Sequence, residues 1–107
     1  MTTRTGLAIF AMMAASTCIA TSAHAQATAD TFKAKCAMCH GTDGLASTPA
    51  GKAMKAPPVT DPAFIGASDA ELFAITKNGK NKMPAFAGKL TPAQMTSLLA
   101  YVHTLQK

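Results

Sequence analysis

Cys36-Ala37-Met38-Cys39-His40 is a Cys-x-x-Cys-His segment, and it is the most informative stretch of this 107-residue chain. Two thiols three positions apart at the end of a helix can reach the two vinyl groups on neighbouring edges of a porphyrin. The imidazole that follows then points toward the iron, and this spacing is the attachment pattern of c-type haem. We therefore predict that Cys36 and Cys39 bind one haem c covalently and that His40 is an axial ligand of its iron.

Two other kinds of site also use paired cysteines. A thioredoxin-like redox pair needs a βαβ pattern, which the sequence does not contain. A zinc site needs two further ligands at suitable spacing, and outside the motif only His24 and His103 offer imidazoles. Haem attachment is therefore the interpretation that the sequence favours.

The first 25 residues have the pattern of a secretory signal peptide. A short polar start is followed by an apolar run from Gly6 to Ala20, and Ala23-His24-Ala25 fits a cleavage site. The run is about 15 residues long, shorter than the ~20 that cross a bilayer comfortably. We expect residues 1–25 to be a cleaved signal peptide and residues 26–107 to form one domain. An uncleaved N-terminal anchor and lipid attachment at Cys18 are the alternatives.

The expected domain is too short to bury a large apolar core. A domain of 82 residues usually needs a disulfide, a metal or a cofactor for its stability. A disulfide between Cys36 and Cys39 would close a very small loop and constrain the unfolded chain little. A cofactor is therefore the expected source of stability, in agreement with the motif.

The expected domain is basic, since residues 26–107 contain nine lysines, no arginine and five carboxylates. Without arginine for bidentate contacts, and with one tyrosine for stacking, we expect no nucleic-acid partner. A redox protein with an acidic docking face fits this charge better. Six lysines near the motif or between residues 77 and 89 form either an ordinary solvated surface or a positive ring that steers such partners: Lys33, Lys35, Lys77, Lys80, Lys82 and Lys89.

Two C-terminal segments have strong helix signals. The capping box Ser68-Asp69-Ala70-Glu71 opens one helix, which Asn78-Gly79 ends. Thr91-Pro92-Ala93-Gln94 opens the other with a second capping box and a proline at the first helical position. Apolar residues then repeat at helical spacing along it: Met95, Leu98, Leu99, Val102 and Leu105.

An earlier helix is predicted from about Ala27 to Met38, with Gly41 as its stop. The segment from Gly41 to Gly66 is rich in glycine and proline and is expected to be irregular. So long an irregular segment is reasonable in a small domain only if it wraps around a cofactor. A backbone carbonyl near Pro49, Pro57 or Pro58 is a candidate acceptor for the second ring nitrogen of His40.

The second axial ligand must be chosen among seven methionines. Five of them belong to the signal peptide, to the attachment motif or to the core face of the last helix: Met1, Met12, Met13, Met38 and Met95. Met83 lies between two firm helices, and Pro84 biases its backbone toward an extended conformation. We predict Met83 as the ligand, in a His/Met pair of the kind that raises the potential. Met54, an open site and a lysine-ligated site are the alternatives.

The chain from about Ala29 to Leu105 resembles the class I cytochromes c, especially the short bacterial and algal photosynthetic carriers. The spacing of 43 residues from His40 to Met83 is typical of short members of that family. The motifs that carry the resemblance occur in the family's order: Phe32 four residues before Cys36, the Cys-x-x-Cys-His segment, Asn78-Gly79-Lys80, Met83-Pro84-Ala85-Phe86 and Leu98-Leu99-Ala100-Tyr101-Val102.

The resemblance implies an all-α fold with three main helices and long loops around one covalently bound haem. It implies that the first and last helices cross, with Phe32 near Leu98 and Tyr101. It also implies that Met83 is the distal ligand and that one haem edge stays exposed. Where many relatives have a glycine four residues before the aromatic, this chain has Thr28, which is expected to shift the crossing. On this basis residues 26–107 are a cytochrome c domain.

These expectations describe an electron carrier rather than an enzyme. With both axial positions of the iron filled, no substrate can bind the metal. We expect a monomeric, periplasmic one-electron carrier that exchanges electrons with exported or membrane-bound partners and is not inserted in the membrane once the signal is cleaved. Two alternatives are a haem protein with an open sixth site, acting as a peroxidase or gas binder, and a dedicated haem subunit of a membrane dehydrogenase or oxidase.

Overall fold

The computed structural model describes residues 18–107, with side chains from residue 23 onward. Within this range the chain forms helices and no strand, and its extended pairings are two isolated bridges, Lys80 with Met83 and Ala87 with Leu90. The predicted all-α fold is confirmed. The helices in chain order are α1 (Cys18–Lys35), α2 (Ala37–His40), α3 (Pro49–Met54), α4 (Pro62–Gly66), α5 (Asp69–Asn78) and α6 (Pro92–Leu105).

The first helix differs from the prediction at both ends. Between Cys18 and Lys35 the sequence contains neither glycine nor proline, so nothing stops α1 before the predicted start at Ala27. The helix ends before Cys36, whose φ of −119° is far from the helical value of about −63°. A separate short helix, α2, then carries the motif as far as His40. The prediction of one helix from Ala27 to Met38 was therefore wrong in both bounds.

The predicted signal peptide falls only partly within the described residues. Residues 1–17 lie outside them, and residues 18–25 form the first part of α1. Cleavage after Ala25 stays a prediction. Within residues 18–107, no helix combines the length and the apolarity that a membrane crossing requires.

The two C-terminal helices begin where their capping boxes predict. At α5 the Ser68 hydroxyl accepts from the Glu71 amide at 3.1 Å, and the Glu71 carboxylate accepts from the Ser68 amide at 2.8 Å. Thr91 and Gln94 make the same reciprocal pair at α6, with distances of 3.1 and 2.8 Å. Each pair satisfies two amides that the first helical turn leaves without partners, so the start of each helix is well defined.

The segment from Gly41 to Gly66 is more ordered than predicted, because it contains α3 and α4. Each helix opens with a proline at its first position behind a capping side chain. Thr48 accepts from the amide of Gly51 ahead of α3, and Asp61 accepts from the amide of Ala63 ahead of α4. Reading the prolines as signs of irregular chain was the error, since a capping residue followed by proline is a helix start.

The core forms where α1 packs against α6. Phe32 is 2% exposed and belongs to the same buried cluster as Leu98, which is 4% exposed. The ring centroids of Phe32 and Tyr101 are 5.1 Å apart, with the ring planes inclined at 51°. The predicted contact of Phe32 with Leu98 and Tyr101 is therefore confirmed. The cluster also contains residues from the later loops and from α6: Val59, Phe86, Leu90, Met95 and Val102.

Candidate functional site

A cavity of about 1270 Å³ lies beside this core and is lined mostly by apolar side chains. Its wall is built from the end of α1, from α2, from the chain between the end of α3 and α5, from α5 itself, from the segment around residue 83 and from one face of α6. The four predicted site residues all line it: Cys36, Cys39, His40 and Met83. Met54, the alternative ligand, lines it as well, from the end of α3.

Backbone hydrogen bonds fix the Cys-x-x-Cys-His motif at both of its ends. The amide of Cys36 donates to the carbonyl of Phe32 at 2.9 Å, which ties the first thiol to the last turn of α1. The amide of His40 donates to the carbonyl of Cys36 at 3.0 Å, so the imidazole follows the thiols on one helical turn. Gly41 ends α2 at a φ of 76°, a conformation that favours glycine. The short helix therefore presents both thiols and the imidazole from one rigid unit.

Thr48 fastens this unit to α3, a role that the sequence patterns did not predict. Its hydroxyl lies 2.6 Å from the Met38 carbonyl and 3.2 Å from the Cys39 carbonyl, and it accepts from the amide of Gly51 at 2.9 Å. Gly51 approaches the Cys39 carbonyl so closely that a Cβ atom on residue 51 would overlap it. The Thr48-Pro49 pair would have identified the cap, although no sequence signal identifies its contact with α2.

The two thiols are free and half-buried. Burial raises the pKa of the Cys36 thiol, and the positive charge of Lys35 opposes that change. The geometry leaves both sulfur atoms at the cavity wall, where a porphyrin edge would meet them.

The imidazole of His40 has the properties of a metal ligand. Burial lowers its pKa, and the backbone carbonyl of Pro57 opposes that change. Nδ1 of His40 is buried and has no hydrogen-bond partner within residues 23–107. A neutral imidazole with one nitrogen next to a backbone carbonyl leaves the other nitrogen to bind a metal. Of the three carbonyl sources that the sequence left open, Pro57 is the one that affects the pKa of His40, and its hydrogen bond to the ring stays a prediction.

Met83 lies in a segment that is anchored at both sides. The amide of Met83 donates to the carbonyl of Lys80 at 2.9 Å, and the amide of Lys80 donates to the carbonyl of Met83 at 3.2 Å. The amides of Phe86 and Ala87 donate to the last turn of α5, at the carbonyls of Thr76 and Lys77, each at 3.0 Å. The half-buried Met83 side chain packs against the core cluster. The segment therefore holds the thioether at the cavity wall with little freedom to move.

Positive charge collects around the cavity. Four lysines line it: Lys35, Lys55, Lys80 and Lys82. Two carboxylates also line it, but Asp61 accepts from a backbone amide at the start of α4 and Glu71 does so at the start of α5. Within residues 23–107 none of the four lysines forms an ion pair. A large apolar cavity with two thiols, a half-buried imidazole and surrounding cations fits a haem with its negatively charged propionates.

The fold and this site define a small class I cytochrome c. The chain belongs to the family whose model is described as Cytochrome C oxidase, cbb3-type, subunit III, which it matches over residues 23–102. Its cofactor is one covalently attached haem c. The match covers α1 except its first residues and α6 almost to its end.

Curated relatives of two kinds are similar to the chain. The cytochrome c6 of Synechococcus sp. is 38% identical over 74 residues, which are 69% of this chain and 63% of that protein. The cytochrome c6 of Anabaena variabilis is 41% identical over 73 residues, which are 66% of this chain and 79% of that protein. The cbb3-type cytochrome c oxidase subunit FixP of Bradyrhizobium sp. is 34% identical over 83 residues, which are 76% of this chain. The chain spans less than two thirds of the Synechococcus protein and 27% of the oxidase subunit.

A solved structure, the KustC0563 c-type cytochrome, has the same fold. It superimposes with a TM-score of 0.68 and 27% sequence identity, and the match covers 75% of this chain and 98% of that one. The resemblance to class I cytochromes c is thereby confirmed at the level of the fold.

Proposed function

We propose that this protein is a one-electron carrier whose haem c is bound through Cys36 and Cys39 and coordinated by His40 and Met83. The observation that best supports this ligand set is that all four residues line one apolar cavity. Met83 is 43 residues from His40 in the sequence, so its presence there depends on the fold. The burial of His40 also supports the proposal, because burial lowers the pKa of its imidazole and a metal ligand must be a neutral imidazole.

Haem c would supply a redox couple, in which the iron takes up and releases one electron. Thioether bonds to Cys36 and Cys39 would keep the porphyrin beside His40, so that its coordination by His40 would be an intramolecular event. The anchored segment around residue 83 supplies a thioether, and methionine ligation raises the potential. Two protein ligands leave no open position for a substrate, and on this proposal the protein is therefore not an enzyme.

The proposed carrier is exported and works as a monomer. Residues 1–25 are the signal peptide on this proposal, and residues 26–107 are the periplasmic cytochrome c domain. Its partners are redox proteins with acidic docking faces, because lysines line the cavity through which an electron would enter or leave.

The second candidate function is that of a haem subunit in a membrane oxidase. The family model and the FixP similarity favour it, since both are described as parts of a cbb3-type oxidase. Purification from native membranes separates the two candidates. A free carrier is recovered in the soluble fraction, whereas an oxidase subunit copurifies with the other subunits in detergent.

The experiment that tests the leading proposal combines a haem stain, intact mass and the ferric spectrum of the purified protein. We expect a stained band under denaturing conditions, the mass of residues 26–107 plus one haem, and the weak near-infrared band of a sulfur-to-iron bond. A colourless protein with both thiols free would overturn the proposal. A high-spin ferric spectrum would instead support the open sixth site of a peroxidase or gas binder.

A further inference from the structure

A histidine far from the cavity connects three parts of the fold. Nε2 of His103, on α6, lies 2.7 Å from the Asp69 carboxylate in the first turn of α5, and Nδ1 lies 2.8 Å from Oε1 of Gln106. Nε2 of Gln106 in turn donates to the backbone carbonyl of Val59 at 3.1 Å. Asp69, His103, Gln106 and Val59 therefore form one continuous chain of contacts, which we call the His103 chain.

The orientation of the Gln106 amide decides the protonation state that suits His103. The Val59 carbonyl can only accept, so the Gln106 nitrogen must face it and the Gln106 oxygen must face His103. The Asp69 carboxylate is an acceptor as well. Both ring nitrogens of His103 therefore face acceptors, and only the doubly protonated ring can donate to both.

Val59 lies at the wall of the haem cavity. It is 1% exposed, lines the cavity, and its amide donates to the Gly44 carbonyl at 2.8 Å. It follows Pro57 by two residues, and Pro57 and His40 line the same cavity. The backbone of Pro57 also raises the pKa of His40. A contact that fixes Val59 against α6 therefore also limits the movement of the Pro57 carbonyl.

We propose that the His103 chain is a proton-dependent latch in which Gln106 is the positioning residue for the 57–59 segment. When His103 is protonated, it holds the Gln106 side chain in the orientation that binds the Val59 carbonyl. Loss of that proton leaves one ring nitrogen facing an acceptor without a hydrogen, and the Gln106 contact loosens. The effect on His40 rests on its proposed role as a ligand, whereas the latch itself does not.

The direction of the pH dependence follows from the groups around the ring. Hydrogen bonds to Gln106 and then to Asp69 raise the pKa of His103 above its ordinary value of 6.5. Asp69 of α5 is the charged group that contacts the ring. The stabilisation of the folded protein by protonated His103 is thus complete below pH 6.5, the ordinary pKa of histidine. It is lost as the pH rises through the higher pKa that His103 has in the folded protein. Both side chains are exposed, so salt weakens the pair.

Hydrogen exchange of the Val59 amide, measured on the haem-loaded protein, tests the latch. In residues 26–107 the histidines are His40 and His103, so His103 is the free imidazole once the iron binds His40. We expect the protection factor of Val59 to fall several-fold between about pH 6 and about pH 8.5. His103→Gln should abolish this dependence, and retention of the full dependence in that variant would overturn the proposal.

The Gln106→Ala variant distinguishes the positioning of the 57–59 segment by Gln106 from the ion pair between His103 and Asp69. It leaves the contact of His103 with Asp69 intact but removes the connection to Val59. We expect low Val59 protection at every pH, faster exchange of the His40 Nδ1 proton, and continued titration of His103 in NMR spectra. Unchanged exchange at Val59 and His40 would overturn the positioning role. The near-infrared band is recorded on the same samples, and its absence in the wild type would refute the Met83 ligation without affecting the exchange result.

Discussion

The Thr48 hydroxyl donates to the backbone carbonyl of Met38 across 2.6 Å. The same oxygen accepts from the amide of Gly51 at 2.9 Å and so caps α3. One side chain therefore begins a helix and fastens it to the haem-attachment motif, ten residues earlier in the sequence. The Cys-x-x-Cys-His helix has only four residues and is too short to be stable alone, so contacts of this kind must hold it.

Thr48→Val tests this contact because it keeps the shape of the side chain and removes the hydroxyl. We expect a loss of about 1 to 2 kcal/mol in the free energy of unfolding, since a helix cap and a carbonyl partner disappear together. Denaturant unfolding of the haem-loaded protein measures it. Thr48→Ser, which keeps the hydroxyl, is the control and should stay within about 0.5 kcal/mol of the wild type. A valine variant as stable as the serine variant would contradict the assignment.

Met83→Ala tests the distal ligand. The haem should stay attached, because the thioether bonds do not involve Met83. The near-infrared band should disappear, the iron should become high-spin or take a substitute ligand, and the reduction potential should fall. Met54→Ala is the matched control, since Met54 also lines the cavity, and it should keep the native spectrum. Loss of the band in Met54→Ala, with retention in Met83→Ala, would identify Met54 as the ligand.

Gly79→Ala tests how the segment around residue 83 is held. Gly79 has a φ of 77°, and a Cβ there would lie 2.7 Å from the Met83 carbonyl oxygen. Gly88 has nearly the same φ, 78°, but a Cβ there would meet no atom within 4 Å. Both alanine variants should lose about 1 to 3 kcal/mol through backbone strain, because a positive φ disfavours residues that have a Cβ. Gly79→Ala should lose about 1 to 3 kcal/mol more, because the new methyl group displaces the segment.

The two glycine variants also differ in their expected spectra. Displacement of the Met83 carbonyl should weaken the near-infrared band in Gly79→Ala, whereas Gly88→Ala should keep it. Chemical denaturation and the ferric spectrum of both variants provide the measurements. Equal losses of stability with unchanged spectra would show that the close contact at Gly79 does not position Met83.

The lysines around the cavity are expected to steer acidic partners. The second-order rate of electron transfer with an acidic redox protein should fall roughly tenfold or more between about 0.01 M and 0.15 M salt. Lys80→Glu with Lys82→Glu should slow the reaction strongly at low salt. The control is Lys52→Glu with Lys107→Glu. This double variant changes the net charge by the same amount, at two residues that do not line the cavity. A salt-independent rate, or equal effects of the two double variants, would contradict local steering.

Short sequence patterns were sufficient for the features that depend on one or two helical turns. The capping boxes at Ser68 and Thr91 predicted the starts of α5 and α6, since the side chain and the amide that it caps are three residues apart. The Cys-x-x-Cys-His spacing predicted the class of cofactor for the same reason. The same local rules would also have identified α3 and α4, had Thr48-Pro49 and Asp61-Pro62 been read as helix starts.

Contacts between distant parts of the chain were decided by the tertiary structure. The packing of α1 on α6 forms the cavity wall, and the bonds from Phe86 and Ala87 to the end of α5 bring Met83 to that cavity. The placement of Pro57 and His40 on the wall of one cavity and the contact of His103 with Asp69, 34 residues away, also arise only in the folded chain. Such contacts depend on how several helices pack at once, and no spacing within a single helix or turn encodes them.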